Sequence, residues 1–340
     1  MSSSVIELKQ SNRLLSNTER SQKKAFLNSL PPQWQIEVTS RCNLRCTSCA
    51  RTVYDERQNP TGDITSETLN AIIPFLPAAE SIVIGGYGEP LLYKNLSDLL
   101  NVAQQAQCRI AIITNGTQID SEIASVINEN HVSEIVISID AVDPIKLLGL
   151  RGIQLDSLRK NVAILKNAAP KCRTIYQMTL GIHNLAEVDP LIRLASEDGC
   201  DLRVNHLKAY TALLSEAPLF KYKEQARIVF EQSQSLADSL NVKLSLPLLE
   251  GTVPCLQPFE LLSVRHDGTV QGCCSAMFNA DVPHLILGKL PSDDAAKLWN
   301  HPLMLSARNA AYGLEPWPES CQNCAFRNFL FESHQRILNG

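Results

Sequence analysis

Between residues 34 and 207, short apolar runs alternate with longer segments of helical spacing, and no other feature limits the fold so strongly. The runs are WQIEVTS (34–40), SIVIGG (81–86), RIAIITN (109–115), EIVISID (134–140), TIYQMTL (174–180) and DLRVNHL (201–207). They are rich in Ile and Val and bounded by Gly, Asn, Asp or Cys, the pattern of parallel strands buried on both faces. The segments between them, including 66–76, 95–106, 121–130, 155–168 and 188–199, carry apolar residues at helical spacing, and several begin at Ser or Asp, which cap helices well. Repeated βα units build a parallel sheet with right-handed crossovers. Six units fall short of the eight of a closed barrel, so the expected fold is α/β, a partial (β/α)6 TIM-like barrel. Periodicity alone also leaves a flat doubly wound sheet open. In both architectures ligands gather beyond the carboxyl ends of the strands.

Composition narrows the partners. The 31 basic and 35 acidic residues give a net charge of −4 and are mixed along the chain, which disfavours nucleic acid and anionic lipid as partners. No apolar run approaches the roughly 18–20 residues that span a bilayer, and the polar start MSSSVIELKQSNRLLSNTERSQKK lacks a secretory signal's apolar stretch. A cytoplasmic location is therefore expected, where thiols stay reduced and grouped cysteines point to metal or catalysis. Of the 11 cysteines, Cys42, Cys46 and Cys49 form one group, and Cys255, Cys273, Cys274, Cys321 and Cys324 form another. Cys108, Cys172 and Cys200 stand alone at the amino ends of strands, where packing is the expected role.

The first group lies just past the first strand, at C-x3-C-x2-C. Three thiolates in one loop can hold three irons of a 4Fe–4S cubane and leave the fourth open, as a catalytic cluster requires. Zinc would need a fourth ligand, and no His lies nearby in sequence.

CNLRCTSC after a strand resembles the signature of the radical S-adenosylmethionine (SAM) enzymes, and further matches fall at successive strand ends between about 34 and 207. Gly85-Gly-Tyr-Gly-Glu-Pro90 is similar to the family's GGEP segment with one residue inserted, Ile113-Thr-Asn-Gly-Thr117 to a frequent third-strand form, Ser138-Ile-Asp-Ala141 to its SIDG segment, and Leu150-Arg-Gly152 to its iRG segment. The resemblance implies that Cys42, Cys46 and Cys49 hold the SAM-binding cluster. It also implies that Gly85, Gly86, Glu89, Thr114, Asn115, Ser138, Asp140 and Arg151 lie around SAM, with Asp140 or Arg151 able to touch substrate. A bare glycine backbone permits close approach to a ligand, and Glu89 can accept from an ammonium or a ribose hydroxyl. One departure is Ser48, where the family often has an aromatic residue against adenine; the loop through Tyr54 would have to supply that contact.

In the carboxyl-terminal part, Cys255 is followed at C-x12-G-x4-C by Gly268 and Cys273, and later by Cys321-Gln-Asn-Cys324. His266-Asp-Gly268 is a turn signal between LLSVR and TVQGC, so a hairpin is expected that brings Cys255 and Cys273 together. Spacing alone also allows a structural zinc ribbon. The pattern resembles the SPASM and twitch domains of radical SAM proteins. Because no cysteine follows Cys324, it implies the shorter twitch-like form: one auxiliary 4Fe–4S cluster held by Cys255, Cys273, Cys321 and Cys324, with Cys274 as the alternative to Cys273.

The expected domains are a helical extension at 1–30, the partial barrel at 31–210, a helical connector at 211–250 and a twitch-like β-hairpin/α auxiliary-cluster domain at 251–340. The resemblance implies an oxidoreductase or maturase that cleaves SAM reductively to a 5′-deoxyadenosyl radical and takes hydrogen from a substrate C–H bond. A ribosomally made peptide is the favoured substrate. A small alcohol or sugar is the enzymic alternative, and a non-catalytic Fe–S or zinc scaffold the alternative of another class. An electron donor of flavodoxin or ferredoxin type is implied. The thirty residues before the first strand are too few for a leader-recognition domain, which a separate protein could supply. His183, Asn184 and Tyr210, just past strands five and six, are placed for substrate.

Overall fold

The computed structural model describes residues 2–53, 60–209, 214–249, 255–273, 285–318 and 321. Ten strands are present among them: β1 (Gln33–Ile36), β2 (Ser81–Ile84), β3 (Arg109–Thr114), β4 (Glu134–Ser138), β5 (Arg173–Leu180), β6 (Asp201–His206), β7 (Leu244–Ser245), β8 (Leu261–Val264), β9 (Thr269–Gln271) and β10 (Ile286–Lys289). Contacts divide the chain into two units, Met1–Arg41 with Glu56–Ile112 and Pro254–Cys324, and Cys42–Asp55 with Ile113–Val253 and Ala325–Gly340.

In the first unit the strand order is β10-β9-β8-β1-β2-β3. Strands β8, β1, β2 and β3 are parallel, with Trp34 opposite both Ile82 and Leu262. Their apolar residues fill the core: Trp34, Ile36, Ile82, Ile84, Ile112, Leu262 and Val264 are all fully buried. Strand β9 turns back antiparallel to β8, pairing Val270 with Val264, so the expected hairpin forms. Its turn needs Gly268, which has φ +86° and would place a Cβ 2.2 Å from the Leu290 carbonyl oxygen. Buried Arg308 joins three stretches of this unit, donating to the carbonyls of Pro258 (2.7 Å), Ala25 (2.9 Å) and Trp299 (2.8 Å). The amino-terminal helix Ser2–Ser21 is held by Arg13, which pairs with Glu80 (2.6 Å) and Glu260 (2.9 Å).

The second unit holds β4, β5, β6 and β7, all parallel. Helices pack against them for legible reasons. Asp120 caps Ser121–Glu129 through the Ile123 amide (2.9 Å). Asp143 and Pro144 start Pro144–Arg151, which ends at left-handed Gly152 (φ 73°). The connector after β6 contributes the helix Lys223–Ser239 and then β7, which pairs with β6. Among the described residues neither unit's sheet closes on itself, and the expected α/β class with parallel strands is what the chain adopts.

Two boundaries depart furthest from expectation. Strand one ends at Ile36 rather than residue 40, because the chain leaves its neighbours there and pairs with the returning segment: the Ile64 amide donates to the Val38 carbonyl, and Thr39 bridges Asp63. The helix expected over 66–76 is α-helical only to Ile72 and continues as a 3-10 turn at Ile73–Ala78, where Pro74 and Pro77 lack the amides an α-helix uses.

Candidate active site

In the second unit, the cysteine loop is built by hydrogen bonds from neighbouring strand ends. Asn43 donates to Thr117 Oγ1 (2.8 Å) and accepts from Asn115 Nδ2 (2.9 Å), while Asn115 Oδ1 takes the Thr117 amide and hydroxyl (2.9 and 2.7 Å). Thr114 Oγ1 accepts the Gly116 amide and tightens the same turn. Further along, the Thr47 amide donates to the Leu150 carbonyl (2.9 Å), and the Cys46 thiol faces the Arg151 carbonyl at 3.7 Å. Cys42, Cys46 and Cys49 are each half-buried.

Asp140 and Arg151 form a buried ion pair, Nε to Oδ2 at 2.7 Å and Nη2 to Oδ1 at 3.1 Å. Asp140 Oδ1 also takes the Thr179 amide at 2.8 Å. These two expected SAM neighbours are thus engaged with each other. Burial works against the Arg151 charge, but Asp140 and the nearby thiols outweigh it and raise its pKa. Burial likewise pushes the Cys46 thiol up to about 11, with Arg151 opposing. Ser138 closes β4 opposite Gln177 and is half-buried. Asn184 is fully buried and spends its amide on the Asp140 and Thr179 carbonyls (3.0 and 3.1 Å), so it fastens the strand ends, whereas His183 is exposed. Tyr54 and Tyr210 lie outside the described residues.

The glycine-rich segment belongs to the first unit. Gly85 extends the β1–β2 ladder, its amide donating to the Ile36 carbonyl at 3.0 Å. A Cβ on Gly86 would lie 2.5 Å from Glu37 Oε2, and one on Gly88 2.1 Å from the Thr39 carbonyl oxygen. The chain itself therefore demands glycine at these two positions. Glu89 is buried; its carboxylate caps the turn Pro90–Leu92 through the Leu91 amide (3.2 Å), and its own amide donates to the Arg41 carbonyl (2.8 Å).

Sequence reasoning missed the residues beneath this segment. Glu37 is fully buried and bonds His266 Nδ1 through Oε1 at 2.6 Å, while its Oε2 takes the Tyr87 amide at 3.2 Å. His266 Nε2 lies 3.0 Å from the Pro60 carbonyl oxygen and 3.2 Å from Ser40 Oγ. Burial disfavours the imidazolium, but Glu37 more than compensates and the His266 pKa is raised. The Arg265 guanidinium sits 5.6 Å above the Tyr87 ring. A signal existed: Glu37 is an acid inside the apolar run 34–40, whose pattern is that of a buried strand.

Of the second cysteine group, Cys255, Cys273 and Cys321 are half-buried, and Cys274 and Cys324 lie outside the described residues. Cys255 borders a cavity of about 420 Å³ with Arg20, Phe259 and Tyr312. Among the described residues, no three Cys, His, Asp or Glu side chains sit closely enough to enclose a single metal ion. The lone cysteines behave as core: Cys108, Cys172 and Cys200 are buried, which raises all three thiols, Cys172 and Cys200 to about 12. No helix among the described residues is long and apolar enough to cross a membrane.

Comparison with known proteins places this arrangement. Residues 36–195 match the model of the radical SAM superfamily, and residues 255–325 match the SPASM iron–sulfur cluster-binding domain. The chain thus carries a radical SAM domain followed by a SPASM domain. Its cofactors are accordingly SAM with a 4Fe–4S cluster and, in the SPASM domain, an auxiliary iron–sulfur cluster. The chain is 29% identical over 133 residues to a tungsten-containing aldehyde ferredoxin oxidoreductase cofactor-modifying protein of Pyrococcus furiosus, covering 37% of each chain. It spans only 24% to 37% of the length of the first three curated relatives it matches. A PqqA peptide cyclase of Gluconobacter oxydans aligns more fully, 23% identical over 321 residues, 88% of this chain and 84% of the relative. Among solved structures, SuiB of Streptococcus suis bound to S-adenosylmethionine shares the fold, with a TM-score of 0.68 at 15% identity over 93% of this chain and 75% of that one. SuiB bound to its precursor peptide SuiA gives a TM-score of 0.67 at 15% identity, over 92% and 73%.

The cysteine loop suits a 4Fe–4S cluster. Its described residues offer three thiols, and the amides of Leu44 and Arg51 point at Cys42 and Cys49 sulfur (3.5 and 3.4 Å). Such donors, with the Arg151 cation beside Cys46, favour an anionic cluster.

Proposed function

We propose that this chain is a maturase that modifies a ribosomally made peptide by net oxidation at an unactivated C–H bond. Cys42, Cys46 and Cys49 would hold the SAM-binding cluster, and Cys255, Cys273, Cys321 and Cys324 the auxiliary one. When bound, the cluster and SAM supply one-electron cleavage of the sulfonium carbon–sulfur bond and thereby a 5′-deoxyadenosyl radical for hydrogen abstraction. The protein's part is to bind, orient and shield. Asn115 and Asn43 hold the cysteine loop and Arg151 offsets its negative charge, while Gly85, Gly86, Glu89, Thr114, Asn115, Ser138, Asp140 and Arg151 are the residues assigned to SAM. Four thiolates would close the auxiliary cluster to substrate and leave it to carry electrons, which favours oxidation over rearrangement. The near-full-length alignment with a PqqA peptide cyclase carries the peptide reading. An electron donor of flavodoxin or ferredoxin type, a separate peptide-recognition protein and a cytoplasmic location complete the proposal.

The test is anaerobic reconstitution with dithionite. Wild type should convert SAM to 5′-deoxyadenosine, Cys46→Ala should not, and iron and sulfide should approach about eight each per chain, two cubanes' worth. With a precursor peptide encoded beside this gene, the product should be lighter by two hydrogens. An unchanged peptide mass, alongside rapid turnover of a small alcohol, would sink the peptide reading.

A further inference from the structure

The segment carrying the three cysteines starts after Ser40, four residues past the end of β1, and its base is closed by short bonds. The Ser40 amide donates to the Gly62 carbonyl (2.9 Å), and the Gly62 amide to Ser40 Oγ (3.0 Å). Into this base reaches His266, from the β8–β9 turn more than 200 residues away in sequence. Its Nε2 faces the Pro60 carbonyl oxygen, which can only accept, so Nε2 carries a proton. Its Nδ1 faces a carboxylate, so the network makes the ring doubly protonated and pairs it with Glu37. Through its other oxygen, Glu37 holds the Tyr87 amide in the glycine-rich turn, and Gly86 is packed against the same carboxylate.

A hairpin turn needs none of this. Asp267 and Gly268 satisfy the turn, since Asp267 Oδ1 takes the Thr269 amide at 3.0 Å and Gly268 supplies the positive φ. Stability alone would be served as well by an apolar pair, because burying two charges offsets most of their attraction. What the pair adds is direction: one imidazole ties the base of the cysteine segment, and one carboxylate ties the glycine-rich turn. We propose that His266, acting through Glu37, Ser40 and Pro60, is a positioning residue for SAM binding, supplied by the SPASM region. That region then does more than house a second cluster. It holds Ser40 and Pro60, the two positions between which the cysteine segment runs. The inference rests on the reading that Cys42, Cys46 and Cys49 hold the SAM-binding cluster.

The test compares full-length His266→Gln and Glu37→Gln with Val270→Ala, a buried β9 residue that makes none of these bonds. Hydrogen exchange of the unreconstituted chains needs no cluster. Both pair variants should exchange roughly tenfold faster at 38–42, 60–64 and 85–89, whereas Val270→Ala should speed exchange only in the hairpin. After reconstitution to equal iron content, both pair variants should bind SAM about tenfold more weakly and show an altered SAM-induced change in the reduced cluster's electron paramagnetic resonance. If exchange and SAM affinity in the pair variants match Val270→Ala, the positioning role is wrong. A wild-type chain whose cluster signal ignores SAM would overturn the ligand reading instead, and the exchange measurement would still decide the clamp.

Discussion

Among the described residues, a buried carboxylate–cation pair lies at the ends of parallel strands in each unit, and the two pairs differ in what the cation can do. Asp140 faces Arg151 in the second unit, and Glu37 faces His266 in the first. A guanidinium does not lose its proton in a protein, so Asp140–Arg151 is a permanent pair. An imidazolium can lose its proton, so Glu37–His266 can relax to a neutral ring when its partner is removed. The permanent pair lies beside the Cys46 thiol, where a constant positive charge suits an anionic cluster. The adjustable one lies under backbone amides and a hydroxyl, where direction counts for more than charge.

The largest effect should come from breaking the permanent pair. Asp140→Asn strands a buried guanidinium that cannot neutralise itself and turns an amide toward it. The expected loss is about 3–5 kcal/mol of unfolding free energy, measured by urea denaturation of the unreconstituted chain. A loss below about 1 kcal/mol would mean that water reaches Arg151 and that the pair is not a buried one.

Gly88→Ala probes packing beside the other pair. Its Cβ would collide with the Thr39 carbonyl, a backbone atom that cannot step aside without moving the start of the cysteine segment. A destabilisation of about 1–3 kcal/mol is expected, as for other overpacked sites. Gly149 is the control, since nothing lies within 4 Å of its added Cβ and it sits inside the helix Pro144–Arg151. Gly149→Ala should stabilise the chain by up to about 1 kcal/mol.

This contrast between two glycines also marks what the sequence made legible. Strand positions, the hairpin at His266–Gly268 and the cysteine groups followed from period, turn chemistry and spacing, all local properties. The reason for Gly86 and Gly88 did not. The motif suggested room for a ligand, while the structure adds a nearer demand from Glu37 and the Thr39 carbonyl. His266 was legible only as a turn residue, because its partners Glu37, Ser40 and Pro60 are more than 200 positions distant. Asn115 and Asp140 were found as polar strand ends. That Asn115 braces Asn43 and that Asp140 binds Arg151 are facts of tertiary packing, which no period encodes.

Glu37→Gln should cost less than Asp140→Asn, about 1–3 kcal/mol, because His266 can release its proton and keep one hydrogen bond to the new amide. Equal losses in the two variants would show that His266 is held charged regardless of its partner.

The smallest effect is the pH dependence that the adjustable pair alone can give. The folded His266 pKa is raised above the ordinary imidazole value, so the folded chain holds this proton more tightly than the unfolded one does. The resulting stability is fully present below the unfolded value, about 6.5, and is lost as pH rises through the higher folded value. Unfolding free energy should therefore decline from about pH 6 upward in wild type, beyond any slope from other groups. Asp140→Asn should keep that decline, since Arg151 does not titrate in the range. Glu37→Gln should flatten it, because the acceptor that raises the His266 pKa is gone. Urea midpoints of the three chains between pH 6 and pH 9 read the difference directly. Parallel curves for wild type and Glu37→Gln would show that His266 titrates outside this window and that both pairs are, in practice, permanent.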